Sequence, residues 1–185
     1  MSDVIDPDGF RANVGIVLMQ ADQVFLGQRT GSRGWQFPQG GMRAGETLEQ
    51  ALFRELDEEI GIREGQVDIL GQTERWLRYR LPPRYVRRNQ QPLCTGQKQR
   101  WFLLRLKGEP VFDFARTSEP EFDAWRWVSW WEPVRQVIYF KRPVYARALT
   151  ELAGLAFPRG KQPPLPPWWA EVTAREARPA PESAD

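Results

Sequence analysis

The sequence predicts an α+β domain in which one layer of β-sheet carries helices on its faces. Three observations point there. β-rich runs recur at residues 13–19, 23–29, 67–79, 100–107 and 125–130. Two other stretches, 47–60 and 143–155, switch to the helical period. A chain of 185 residues that is 41% hydrophobic has the length of one ordinary domain with a short appendage, and enough apolar side chain to fill its core.

In chain order, the first two runs are separated by Gln20-Ala21-Asp22 and read as a hairpin or as adjacent strands. The loop at 30–34 and the Gly40-Gly41 pair bracket a short strand at 35–38. Thr47-Leu48-Glu49-Gln50 has the form of a capping box, and the helix it opens runs to Ile60 before Gly61, a residue suited to a left-handed stop. The run at 67–79 is expected to break at a bulge or turn near Gly71. Pro143 stands at a helix entry position, with Val144, Leu149, Leu152 and Leu155 supplying an apolar side to a closing helix.

From Pro158 onward, Pro163-Pro164, Pro166-Pro167, Pro179 and Pro181 lie among charges, a composition too poor in apolar surface to order itself. The expected organisation is therefore a domain over residues 1–157 and a disordered tail over 158–185. Trp168-Trp169 is either a docking anchor in that tail or a pair packing back on the domain. Trp76, Trp101, Trp125 and Trp127 read as core.

The chain has no histidine, and Cys94 is its single cysteine. That excludes histidine-based triads, Cys/His zinc sites, histidine-held haem and an internal disulfide framework, so for an enzyme carboxylates are the expected acids, bases and metal ligands. The longest apolar runs are far shorter than the roughly 20 residues of a membrane span, and Asp3, Asp6 and Asp8 stand where a signal peptide would be basic; a cytoplasmic protein is expected. The formal charge of +2 hides an asymmetry. Residues 46–68 hold eight acidic side chains against Arg54 and Arg63, whereas residues 75–105 hold nine basic ones, no acidic one, and Trp76, Tyr79, Tyr85 and Trp101. Such a succession suggests a metal site beside an anion site.

Projected at about 100° per residue, Leu52, Leu56 and Ile60 form an apolar arc, with Glu55, Glu58 and Glu59 in a second arc beside it. Thr47, Gln50, Arg54 and Asp57 take the opposite, solvated side. Like charges three and four residues apart repel, and folding alone does not reward clustering them at the edge of a buried face. A hard divalent cation removes the repulsion, and oxygen-only ligands point to Mg²⁺ or Mn²⁺. The alternative for such a triplet taken alone is a solvated acidic face.

Gly40, Glu46, Arg54, Glu55, Leu56, Glu58, Glu59, Gly61 and Ile62 fill every fixed position of G-x5-E-x7-R-E-U-x-E-E-x-G-U, where U is a bulky aliphatic residue. Over these positions the sequence resembles the Nudix hydrolase signature. The resemblance implies a Nudix α/β/α sandwich with a mixed sheet over about residues 9–155, whose loop–helix–loop at 40–62 hydrolyses nucleoside diphosphates linked to another moiety. It also implies Mg²⁺ (or Mn²⁺) held by Glu55, Glu58 and Glu59. Gly40 lets the backbone approach the metal, where a main-chain carbonyl is a further ligand. Arg54 braces Glu58, and Glu46 either ties the loop down or binds through water. Without histidine, the base that takes the proton from water is a glutamate, with Glu58 and Glu121 as candidates.

Segments outside the signature extend the resemblance. Asp8-Gly9-Phe10-Arg11, Trp35-Gln36-Phe37-Pro38-Gln39, Trp76-Leu77-Arg78-Tyr79, Gly96-Gln97-Lys98-Gln99, Pro120-Glu121-Phe122-Asp123 and Phe140-Lys141-Arg142 are similar to the bacterial RNA pyrophosphohydrolase branch. That branch is closely related to dinucleoside polyphosphate hydrolases. It implies single-stranded RNA 5′ ends bearing di- or triphosphate, or dinucleoside polyphosphates, as substrate, with no DNA or membrane partner. Arg11, Arg29, Lys98 and Lys141 at the matching positions would contact the polyphosphate or backbone, and Tyr79 and Phe140 would stack on bases. By the same resemblance Glu121, in a turn far in sequence from the helix, reaches into the metal centre. A reading of another class is a catalytically idle, RNA-binding Nudix module; the intact glutamates argue against it, because a pure binder has no use for an acid cluster beside an anionic ligand.

Overall fold

The computed structural model describes residues 4–31, 34–89 and 91–174. Strand β1 (Phe10–Gln20) is buried along nearly its whole length because both its faces are covered, the pattern of a central strand. It runs parallel to β7 (Gly96–Leu106), from Phe10 opposite Gly96 to Met19 opposite Arg105. Strand β2 (Gln23–Arg29) meets β1 only beside the turn, at Met19 with Val24 and Gln20 with Gln23. Beyond that turn the same edge of β2 pairs with β3 (Trp35–Gln36), while its other edge pairs with β8 (Phe122–Ser129) along the whole strand. Strand β4 (Gln39–Gly41) lies antiparallel to β1, while β5 (Val67–Gln72) and β6 (Leu77–Arg80) both lie antiparallel to β7. Among the described residues these strands form one eight-stranded mixed sheet.

The glycine pair expected to end a short strand is itself part of β4. With no Cβ, Gly40 and Gly41 admit the Glu55 carboxyl and the Arg11 guanidinium against the backbone. The break expected near Gly71 is present as a register shift between Ile69 and Gly71.

One face of the sheet receives α1 (Leu48–Ile60). Thr47 Oγ1 accepts from the Gln50 N–H at 3.2 Å and Gln50 Oε1 accepts from the Thr47 N–H at 2.9 Å, which satisfies two orphan donors of the first turn. Gly61 closes the helix at φ 72°, in the left-handed region where a glycine is at no disadvantage. Leu52, Leu56 and Ile60 are fully buried against Val14, Ile16 and Leu18 of β1 and Phe102 and Leu104 of β7. The other face receives α3 (Arg142–Ala156), whose Val144, Tyr145, Leu149 and Leu152 pack on Val17, Met19, Trp101 and Leu103. The result is an α/β/α sandwich with its core divided by the sheet.

A five-residue helix α2 (Glu132–Gln136) precedes α3 and had no signal in the sequence, being too short for the helical period to show. Trp125 departs from its expected place in the core: β8 pairs only with β2, and the ring stands 38% exposed at that edge. The tail also departs from expectation. The Trp131 Nε1–H donates to the Pro163 carbonyl at 3.0 Å, the Trp169 ring lies 5.0 Å from that of Trp131, and α4 (Trp169–Ala174) follows. Apolar contact between indoles offsets the entropy of ordering this segment, so Trp168-Trp169 packs back on the domain. Residues 175–185, the rest of the expected tail, lie outside the described residues.

Replacing Leu52 by Ala removes a fully buried side chain from between α1 and the sheet. The expected loss is about 2–5 kcal/mol of unfolding free energy, read as a lower urea midpoint at unchanged slope.

Candidate active site

Three glutamates on one helix edge need a counter-charge, and the chain supplies it from the helix itself. Arg54, placed on the solvated side by the helical projection, is only 15% exposed because its guanidinium is enclosed by Glu46 and the Gly41 carbonyl before the helix and by Glu55 and Glu58 on it. It donates through Nε and Nη2 to the two carboxylate oxygens of Glu46 at 2.6 and 2.9 Å, and through Nη2 to the Gly41 carbonyl at 2.8 Å. Its Nη1 donates to Glu55 Oε1 at 2.6 Å and Glu58 Oε2 at 3.2 Å. Glu46 also accepts from the Arg43 N–H at 2.8 Å, so it ties the loop to the helix. The bidentate Arg54 pair holds its carboxyl down to about 2. Glu58 is held between Arg54 and Arg43, whose Nη2 donates to Oε1 at 3.1 Å.

Glu55 is 9% exposed, and its carboxyl fills the space a side chain at Gly40 would need: a Cβ there would stand 1.9 Å from the carboxyl carbon. Burial pushes the Glu55 carboxyl up, against the pull of Arg54. Glu59 Oε2 accepts from the Gln39 N–H at 3.1 Å on β4. Burial, and then the neighbouring charges of Glu55 and Glu121, push its carboxyl well above the usual range.

Glu121 arrives from the other end of the domain. The β2–β8 register sets Phe122 opposite Arg29, which brings the preceding Glu121 alongside. Its Oε1 accepts from Arg29 Nε at 2.8 Å and Gln36 Nε2 at 2.9 Å. Gln36 Oε1 in turn accepts from Lys141 Nζ at 3.1 Å. Lys141 is 8% exposed, and burial followed by repulsion from Arg29 brings its ammonium down to about 8.

These features suit a hard cation. The donors are oxygens only, Glu55 and Glu59 are desolvated and mutually repelling, and the Gly40 backbone has the close approach that a carbonyl ligand needs. Among the described residues no three carboxylates converge on one point as the side chains stand, because Arg54 and Arg43 hold Glu58 and Arg29 holds Glu121.

Glu55, Glu59, Glu121 and Gly40 open onto a cleft of about 500 Å³, which falls in the range of small-molecule sites. Arg11, Arg29 and Lys141 also line it, as do Tyr79 and Phe140, whose rings lie 5.8 Å apart. Tyr79 is fixed within the cleft, its hydroxyl donating to Gln97 Oε1 at 2.5 Å. Glu58 stands beside the cleft and not on its wall.

Lys98 is a correction. Side chains alternate along β7, so when Gln97 and Tyr79 face the cleft, Lys98 faces the opposite side of the sheet. There its Nζ pairs with Asp6 Oδ2 at 2.8 Å and lies 5.4 Å from the Trp76 ring. Sequence reasoning also missed participants: Gln36, which bridges Lys141 to Glu121, Gln39, and Arg43 on Glu58. An amide in a strand has no spacing that marks it. The acid-free basic segment did carry a signal for one further cleft residue, Tyr85.

The chain is similar to known proteins in sequence and in fold. Residues 9–148 match the NUDIX domain family. The RNA pyrophosphohydrolase of Alkalilimnicola ehrlichii is 55% identical over 166 residues, 88% of this chain and 92% of that one. That of Vibrio cholerae is 55% identical over 157 residues, 84% of this chain and 91% of that one. Among solved structures, the E. coli dihydroneopterin triphosphate pyrophosphohydrolase superposes with a TM-score of 0.60 at 21% identity, covering 75% of this chain and 94% of that one. A C. elegans Ap4A hydrolase does so with 0.55 at 20%, covering 74% and 92%. At these identities the structural likeness shows the fold.

The Glu46–Arg54 pair predicts a stability slope. A carboxyl held at about 2 in the folded protein against its ordinary 4.5 contributes stability fully present above pH 4.5 and lost as pH falls towards 2. Urea unfolding at pH 6 and pH 2 should therefore show wild type losing on the order of 3 kcal/mol more than Glu46→Gln.

Proposed function

The chain belongs to the NUDIX hydrolase family, and from that premise we propose that it is an RNA pyrophosphohydrolase. It removes pyrophosphate, or successive phosphates, from the tri- or diphosphorylated 5′ end of single-stranded RNA, leaves a 5′-monophosphate, and so initiates mRNA decay. One observation carries the reading: a single cleft joins a carboxylate wall at Glu55, Glu59 and Glu121 to a wall of cations and aromatic rings at Arg11, Arg29, Tyr79, Phe140 and Lys141. A divalent cation held by the carboxylates and the cationic side chains suit a polyphosphate, and the aromatic rings suit an unstacked base. The 55% identity to relatives named for this activity supports it.

Nudix hydrolases generally use divalent metals. In this chain Glu55, Glu58, Glu59 and Glu121, with the Gly40 carbonyl, would hold Mg²⁺ (or Mn²⁺). A cation bound there supplies charge neutralisation on the phosphates and a lowered pKa for bound water. The protein's own groups do the rest. Arg54 and Glu46 hold the helix edge in place, and Arg43 and Arg54 orient Glu58. Arg11, Arg29 and Lys141 bind the substrate's anionic oxygens, and Tyr79 and Phe140 receive a base. Water adds to phosphorus as an anhydride P–O bond breaks, and the proton passes to Glu58 or Glu121. No helix among the described residues is long and apolar enough to cross a membrane. The proposal places the enzyme in the cytoplasm with its transcripts, and its catalytic domain in residues 1–157.

Incubation of 5′-triphosphorylated RNA with the protein and Mg²⁺ should yield a monophosphorylated end, and a chelator should stop it. Absence of that product retires the proposal. A specificity constant higher for triphosphorylated RNA than for diadenosine tetraphosphate is expected; the reverse order would make the protein a dinucleoside polyphosphate hydrolase. Glu58→Gln and Glu59→Gln should each lower turnover by roughly 100-fold or more while RNA binding survives. Gly40→Ala should lower turnover like them and also lower the melting temperature, because its methyl displaces the buried Glu55 carboxyl from Arg54.

A further inference from the structure

The cleft accommodates about the volume of one small-molecule ligand, so most of an RNA strand must leave it. The aromatic rings show where. Phe140 stands 5.8 Å from Tyr79 inside the cleft, 5.1 Å from Tyr85 on its rim, and 5.4 Å from Tyr139 just outside. Burial falls along this row: Tyr79 is 7% exposed, Tyr85 39% and Tyr139 48%. The Arg84 guanidinium lies between the two outer tyrosines, 4.9 Å from the Tyr85 ring and 5.9 Å from that of Tyr139. Tyr85 and Arg84, with Arg87 on the cleft wall, belong to the segment 75–105 that contains no acidic residue.

Building on the RNA reading above, we infer that Tyr85, Tyr139 and Arg84 form an outer stacking subsite for single-stranded RNA. It receives a nucleobase downstream of those seated in the cleft. Two exposed rings beside a planar cation offer faces to a base of any identity, and the surrounding arginines attract the backbone. The occupant is unpaired RNA, because in a duplex the base faces are already stacked on one another. The subsite therefore sets how much unpaired 5′ sequence the enzyme prefers, without setting which bases.

The test compares a triphosphorylated dinucleotide with a triphosphorylated ten-nucleotide unpaired RNA in the full chain with Mg²⁺. Wild type should show a lower KM for the longer RNA. The Tyr85→Ala/Tyr139→Ala variant should lose this length preference by roughly five-fold to a hundred-fold, and the corresponding double Phe variant should keep it. A 2-aminopurine scanned along the ten-nucleotide RNA should be quenched at a downstream position on binding wild type and not on binding the double alanine variant. A length preference retained by the double alanine variant, or absent in wild type, overturns the subsite. Failure of wild type to release a monophosphorylated end from either RNA overturns the RNA reading itself, so the two failures are read from different measurements.

Discussion

The organisation of the site depends on one guanidinium. Glu46 in the loop before α1 and Glu55 and Glu58 in its C-terminal half crowd one edge, and without a counter-charge their repulsion would destabilise it. Arg54 touches all three and the Gly41 carbonyl. Because it is largely withdrawn from water, each of these bonds is stronger than a surface pair, and removing it would strand a buried carboxylate without a partner. The same bonds fix loop to helix and helix to β4, so the brace of the site is also a joint of the fold.

Everything else in the cleft is positioned from the sheet. The β1–β4 pairing lays Gly40 against Glu55, and the β2–β8 pairing delivers Glu121 beside Arg29. Gln36 links that carboxylate to Lys141 at the start of α3. The α1 carboxylates and the Glu121–Gln36–Lys141 group thus face one cleft from opposite sides, set where the strands' apolar residues give way to glycine and glutamine. Negative charge gathers near α1, while positive charge and aromatic surface gather near α3. This polarity suits a ligand with phosphates at one end and bases at the other.

The sequence made much of this legible. Thr47, Gln50 and Gly61 state the ends of α1 by local chemistry alone, and the structure places both caps at those residues. The arc of Leu52, Leu56 and Ile60 is buried as the helical period requires. The projection sets Arg54 beside Glu58, which it does touch, but its further reach to Glu46, Glu55 and the Gly41 carbonyl is not visible there, because a projection locates Cβ atoms and a long side chain can carry its charge around the helix. For a related reason, composition could not choose, of the two readings of Trp168-Trp169, packing back on the domain. Composition counts the prolines, but the indole of Trp131 that receives Trp169 lies in another part of the chain.

The sequence by itself determined the α+β class, the carboxylate helix with its caps, and the oxygen-only chemistry that follows from having no histidine, because each of these depends on residues within a few positions of one another or on composition. Tertiary structure alone decided which side of the sheet each strand residue faces and which distant groups meet. Lys98 and Gln97 are adjacent in sequence, yet one pairs with Asp6 behind the sheet and the other supports Tyr79 in the cleft. Strand parity holds along β7 between bulges, but the face that becomes the cleft is set by which helix covers which side, and that is a property of the packed domain.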